Sequence, residues 1–115
     1  ELGGCPLASA VALVSFQKGK PRDAVYVRKE VKDHGSKRQL EGDTKLPKGA
    51  RLAILEDVVT TGGSTLKAVE KIRAAGYEVS GVVALVDRLE GGREAIEAAG
   101  LALTTLFTRR DFIPD

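Results

Sequence analysis

The chain has 115 residues, a formal net charge of +2 and one cysteine. That length fits one domain with a real core, and the small net charge gives no reason to expect nucleic-acid binding. No apolar run is long enough to cross a membrane, no signal-peptide pattern is present, and Cys5 alone cannot form an internal disulfide, so a reducing compartment, the cytoplasm, is expected.

Leu2-Gly-Gly-Cys-Pro6 reads as a loop entering a helix. Pro6 suits the first turn, Leu7, Ala10, Val11, Val14 and Phe16 give an apolar stripe, and Gly19 ends the helix. Cys5 is either a thiol activated at a helix start or a small half-buried residue. Ala24 to Val27 is a short strand. Arg28 to Lys48 is polar, charged and long for a connector. Leu52-Ala-Ile-Leu55, with Val58 and Val59 beyond, reads as a strand buried on both faces of a parallel sheet. Leu66, Val69, Ile72 and Ala75 recur at helical spacing before Gly76. Val79 to Val86 is a second apolar strand ending at Asp87-Arg88. A short helix from Arg93 to Ala99 and a strand from Leu101 to Phe107 complete the pattern. Alternating strands and helices with short joints predict an α/β fold, a parallel sheet flanked by helices of the Rossmann-like kind.

The chemistry concentrates in Glu56-Asp-Val-Val-Thr-Thr-Gly-Gly-Ser-Thr65. Two adjacent carboxylates are costly to bury, so they should emerge at the carboxyl edge of the sheet, where open α/β sheets bind ligands. Glycines in the following loop let a ligand approach the backbone, and Ser64 or Thr65 can cap the next helix. Free amides at a helix start favour phosphate. Acid pair and loop together suit a molecule with both a sugar diol and a phosphate. An ordinary strand–turn–helix joint with nothing bound is the plain alternative. The segment is neither a Walker A loop nor a GxGxxG fingerprint.

This segment resembles the ribose-phosphate signature of the type I phosphoribosyltransferases, which hold phosphoribosyl pyrophosphate. A second stretch, Arg28-Lys-Glu-Val-Lys-Asp-His-Gly35 with its Lys37-Arg-Gln-Leu-Glu-Gly42 continuation, is similar to the mobile catalytic loop of the orotate phosphoribosyltransferases within that family. Without the resemblance it would read equally well as a solvated basic loop.

The resemblance spans nearly all of residues 1–115 and implies one phosphoribosyltransferase core domain, lacking the region that precedes it in the family. The implied reaction joins orotate and phosphoribosyl pyrophosphate into orotidine 5′-monophosphate and pyrophosphate, a step of pyrimidine synthesis. It assigns Lys29 and Lys32 as the main cationic catalysts, with Arg28 and His34 also on the pyrophosphate. Gly3 and Gly4 would offer backbone contacts to the same group, although many relatives carry a lysine there and this sequence does not. Glu56, where many relatives have aspartate, and Asp57 would hold the ribose hydroxyls. The run Val58, Val59, Thr60, Thr61, Gly62, Gly63 and Ser64 would surround the phosphoribosyl group, with Thr60 to Ser64 cradling the 5′-phosphate. Thr60 and Arg88 would contact orotate, the guanidinium matching its carboxylate. Arg88 also reads as a surface partner for Asp87 or Glu90. Magnesium, held mainly through substrate and water, is the implied cofactor. The implied working unit is a homodimer in which the mobile loop reaches the neighbouring subunit. Two alternatives stay open: a transferase for another nucleobase, and a non-catalytic protein that senses phosphoribosyl pyrophosphate.

Overall fold

A computed structural model describes residues 4–28 and 39–113. Its centre is a three-stranded parallel sheet in the order β3-β4-β5: β3 is Arg51–Val59, β4 is Glu78–Asp87 and β5 is Leu103–Thr108. Helix α2 (Gly63–Ala74) joins β3 to β4, and α3 (Gly92–Ala98) joins β4 to β5. Helix α1 (Gly4–Gln17) comes first and contacts β3. The expected α/β architecture, a parallel sheet flanked by helices, is therefore present.

Aliphatic side chains from the sheet, α2 and α3 build the core. Ile54 and Val59 of β3, Val82 and Ala84 of β4 and Leu103 of β5 meet Val69 and Ile72 of α2 and Ile96 of α3. Val69 and Ile72 lie three apart, on one side of α2, which explains how a helix with charged residues at Lys67, Glu70, Lys71 and Arg73 still buries a seam. Gly76, in the left-handed region at φ +95°, ends α2, and its amide bonds to the Arg73 carbonyl at 3.0 Å.

Three local expectations needed correction. The first is the burial of β3. Ile54 and Val59 are buried, but Ala53 and Val58 are exposed, so an unbroken apolar run does not here mean burial on both faces. The second is the stripe on α1. That helix buries no residue fully, and Phe16 is 71% exposed, with Val11, Leu13 and Val14 also exposed. Its sequence is apolar nearly all round, so helical spacing alone did not single out a core-facing side. The third is the first strand. Only Tyr26–Val27 (β1) is extended, and it pairs antiparallel with Leu40–Glu41 (β2) in a separate ladder. No strand was expected within the polar connector, because a two-residue strand has no period to detect.

This small ladder flanks residues 29–38. An Arg28 amide bond to the Gln39 carbonyl (2.7 Å) and an Arg28–Glu41 ion pair (2.9 Å) close it. Lys71 of α2 donates to the Arg28 carbonyl at 2.5 Å, which ties the ladder to the main layer.

Candidate phosphoribosyl site

Strand β3 runs through the acid pair and ends only at Val59. In the β3–β4 register Glu56 lies opposite Ala84, and Val59 opposite Asp87. The carboxylates therefore lie inside the ladder near its carboxyl end, and do not interrupt the strand or emerge beyond it as the sequence suggested. Their environments differ. Glu56 is part-buried, and Thr65 in the first turn of α2 donates to its Oε1 at 3.0 Å. Burial pushes the Glu56 carboxyl above its usual range, the Thr65 hydroxyl works against that shift, and the neighbouring Asp57 charge adds to it. Asp57 uses Oδ1 to accept the Val58 amide at 2.8 Å. Among the described residues each carboxylate has one oxygen without a hydrogen bond; the Asp57 bond is exposed and the Glu56 bond part-buried, so Asp57 is the better placed of the two to accept from a ligand hydroxyl.

The Thr60–Ser64 loop turns the chain into α2. Gly62 is the N-cap, in the left-handed region at φ +89°, a conformation that glycine adopts at least cost. Neither Ser64 nor Thr65 caps the helix, contrary to expectation. Thr65 is 1% exposed and its hydroxyl is committed to Glu56, while Ser64 is exposed within the first turn. With no side-chain cap in place, the first-turn amides of α2 remain suited to an external anion.

A cleft of about 1450 Å³ opens between α1, the 21–28 segment, β3 and α2. It brings together Gly4, Arg28, Glu56, Asp57, Gly63 and Ser64, six of the residues that the sequence singled out. Cys5, half-buried in α1, also lines it. Lys67 lines it too and was missed. It lies three residues beyond Ser64, one helical turn along, and that spacing could have marked it. Val58, Val59, Thr60, Thr61, Gly62 and Arg88 are not among the cleft's lining residues. Gly3, Lys29, Lys32 and His34 lie outside the described residues.

At the end of β4 the two charged residues part company. Asp87 is 1% exposed; its Oδ1 accepts the Leu89 amide at 2.9 Å and its Oδ2 stands 3.8 Å from Arg93 Nε. Arg88 is exposed and pairs with Glu90 at 3.0 Å, while its backbone amide donates to the Val59 carbonyl at 3.0 Å. The surface pairing weighed for Arg88 is thus the one present, with Glu90 and not Asp87 as partner. Asp87 as a buried anchor was also missed. An acid closing an apolar strand, followed by Gly91-Gly92 and then Arg93, was its sequence signal.

Among the described residues no group of three or more His, Cys, Asp or Glu side chains could cage a metal. Any divalent cation here would have to take most of its ligands from a bound substrate and water.

The structure is thus an α/β protein with an acid pair and an uncapped helix start near one strand end, an arrangement chemically suited to a ligand that carries both hydroxyls and an anion. Residues 1–99 match the phosphoribosyl transferase domain, and the chain belongs to that family. Its fold is the type I phosphoribosyltransferase core. A protein of Sorangium cellulosum named orotate phosphoribosyltransferase is 71% identical over 115 residues, all of this chain and 60% of the relative. The structure of Leishmania donovani UMP synthase superimposes with a TM-score of 0.75 at 32% identity, covering 95% of this chain and 22% of that one. Mycobacterium tuberculosis orotate phosphoribosyltransferase, solved with 5-phospho-alpha-D-ribosyl 1-diphosphate, gives 0.67 at 39% identity, covering 81% of this chain and 51% of that one. This chain therefore spans about 60% of the length of that curated relative.

Proposed function

We propose that this chain is the donor-binding core of an orotate phosphoribosyltransferase acting in pyrimidine synthesis. The observation that carries the reading is the β3–α2 joint, where the Asp57 carboxylate and the uncapped amides of α2 open onto one cleft. In this reading Glu56 and Asp57 receive the ribose hydroxyls of phosphoribosyl pyrophosphate, with Asp57 making the closer contact. Val58 to Ser64 surround the phosphoribosyl group, and the Thr60–Ser64 amides take the 5′-phosphate. Similarity to named orotate phosphoribosyltransferases at up to 71% identity supports the choice of substrate.

The reaction forms a bond between a ring nitrogen of orotate and the anomeric carbon, and the proton of that nitrogen is released and taken up by the departing pyrophosphate. The bond from that carbon to the pyrophosphate oxygen breaks, and pyrophosphate leaves with the electron pair. Positive charge grows on the ribose and negative charge on the leaving group. Lys29 and Lys32, with Arg28 and His34, offset the latter. Gly3 and Gly4 add backbone contacts to it. Thr60 and Arg88 hold orotate, and for this Arg88 must exchange its surface pairing with Glu90 for the substrate carboxylate. Magnesium bound with the donor supplies further charge neutralisation. The exposed apolar residues of α1, Val11, Leu13, Val14 and Phe16, support a homodimer. The single cysteine and the biosynthetic role support a cytoplasmic setting.

Orotate absorbance provides the test. Mixing the protein with magnesium, orotate and phosphoribosyl pyrophosphate should deplete orotate and release pyrophosphate. Depletion of another nucleobase instead would assign a different transferase. Donor binding with no turnover of any base would assign a sensor.

A further inference from the structure

The Thr60–Gly63 loop does not stand alone; the corner between β4 and α3 is packed against its back. Gly92, the first residue of α3, is buried there. A Cβ built on Gly92 would fall 2.4 Å from Val59 Cγ1 and 2.6 Å from the Thr60 carbonyl oxygen, closer than real Cβ atoms come. Gly92 is not among the glycines with positive φ, so its backbone conformation would accept any residue. Glycine is required at this place because the loop occupies the space that a side chain would need.

The contact is reciprocal. A Cβ on Gly62 would stand 3.3 Å from the Gly92 carbonyl oxygen and 3.4 Å from the Ala95 Cβ. The Arg88 amide bond to the Val59 carbonyl joins the same two segments just upstream. Two turns thus lie backbone against backbone, and the one that carries the phosphate-facing amides cannot retreat.

We propose that Gly92 is a positioning residue for donor binding: it lets α3 set the depth of the Thr60–Ser64 loop and so aims the loop amides at the 5′-phosphate. This rests on the donor reading above. In this proposal the first turn of α3 acts through Val59 and Thr60, the residues that a side chain at Gly92 would meet. Any side chain at Gly92 displaces the Thr60 carbonyl or opens the α3 corner, and the amides lose their common target.

Gly91 provides the control. It sits beside Gly92 in the left-handed region at φ +93°, yet a Cβ there meets nothing within 4 Å. Gly91→Ala strains the backbone without pressing on the loop, whereas Gly92→Ala presses on it directly. Ala95→Val adds bulk toward Gly62 from the same helix and serves if Gly92→Ala does not fold.

The experiment measures phosphoribosyl pyrophosphate affinity by calorimetry with magnesium, together with amide resonances of Thr60 to Ser64 in the free proteins. Gly92→Ala, or Ala95→Val in its place, should weaken donor binding at least tenfold and shift those resonances. Gly91→Ala should bind within twofold of the parent and leave them in position, even if it melts earlier. Unshifted loop resonances in Gly92→Ala, or equal affinity losses in Gly91→Ala and Gly92→Ala, would overturn the assignment. A parent protein that binds no donor would instead sink the donor reading, and the resonances of the free variants would still decide whether Gly92 sets the loop.

Discussion

Thr65 donates its hydroxyl to Glu56 at 3.0 Å, and this one bond couples the first turn of α2 to the acid pair of β3. It explains why a threonine at a helix start does not cap that helix. It also explains how a part-buried carboxylate is kept at the end of the sheet. Thr65→Val preserves shape and removes the donor. The expected loss is about 1–3 kcal/mol, the usual cost of stranding a buried acceptor. Chemical denaturation measures it, and NMR titration should show the Glu56 carboxyl displaced further upward.

The same carboxylate gives a pH dependence with a definite sign. Its folded-state pKa lies above the ordinary value of 4.5, chiefly through burial. The folded state then holds a proton that the unfolded chain has already released. Stability from this group is complete below the ordinary value and is lost as pH rises through the raised one. Glu56→Gln should abolish that loss, so the variant gains stability relative to the parent as pH rises toward neutrality. Thermal melts at a series of pH values check this, and a parallel pH profile for both proteins would contradict it.

Asp87 should matter more for structure than its neighbour. It is buried, it accepts the Leu89 amide, and it faces Arg93. Leu89 is held at φ +60°, unusual for a non-glycine residue, and the Asp87 carboxylate secures it. Asp87→Ala should cost about 1–3 kcal/mol, chiefly by leaving the part-buried Leu89 amide without its acceptor, since Arg93 keeps its pair with Glu97. Asp87→Asn should cost less, because an amide oxygen can still accept. Urea denaturation of the two variants provides the comparison.

Arg88 behaves oppositely. Its pair with Glu90 is exposed, and such pairs contribute about 0–1 kcal/mol. Glu90→Gln should therefore leave stability almost unchanged. Arg88→Ala should weaken orotate binding while sparing the donor. Equal loss of both ligands would point to damage at the β4–α3 corner, where the Arg88 amide meets Val59.

Lys32→Ala tests the catalytic assignment of the basic segment. Turnover should fall by orders of magnitude, with only a modest change in donor affinity, because leaving-group charge develops in the transition state and not on binding. Unchanged turnover would remove Lys32 from the mechanism. Steady-state kinetics beside calorimetry separates these outcomes.

The strands and helices that carry periodicity were legible in the sequence. Val69 and Ile72 marked the seam of α2, and the apolar runs marked β3 and β4 to within one or two residues of their ends. The acid pair and the Gly62-Gly63 loop marked the candidate site because polar groups near a strand end demand an explanation. What escaped notice depended on partners distant in the chain. Thr65 offered itself as a cap because its attachment to Glu56, nine residues away, has no sequence signature. Asp87 was read beside Arg88 because adjacency is visible and a turn that swings Arg93 onto it is not. The exposure of α1 was hidden for another reason: an all-round apolar helix names no face, so its sequence cannot say which side is covered.

The central claim is that the β3–α2 joint grips an activated ribose phosphate. Isothermal titration of the folded protein with phosphoribosyl pyrophosphate, in the presence of magnesium, tests it most directly. The account predicts saturable binding that Asp57→Asn weakens and Gly76→Ala, at the remote end of α2, does not. Absence of any binding heat from a sample that melts cooperatively, or equal binding by Asp57→Asn, would contradict it.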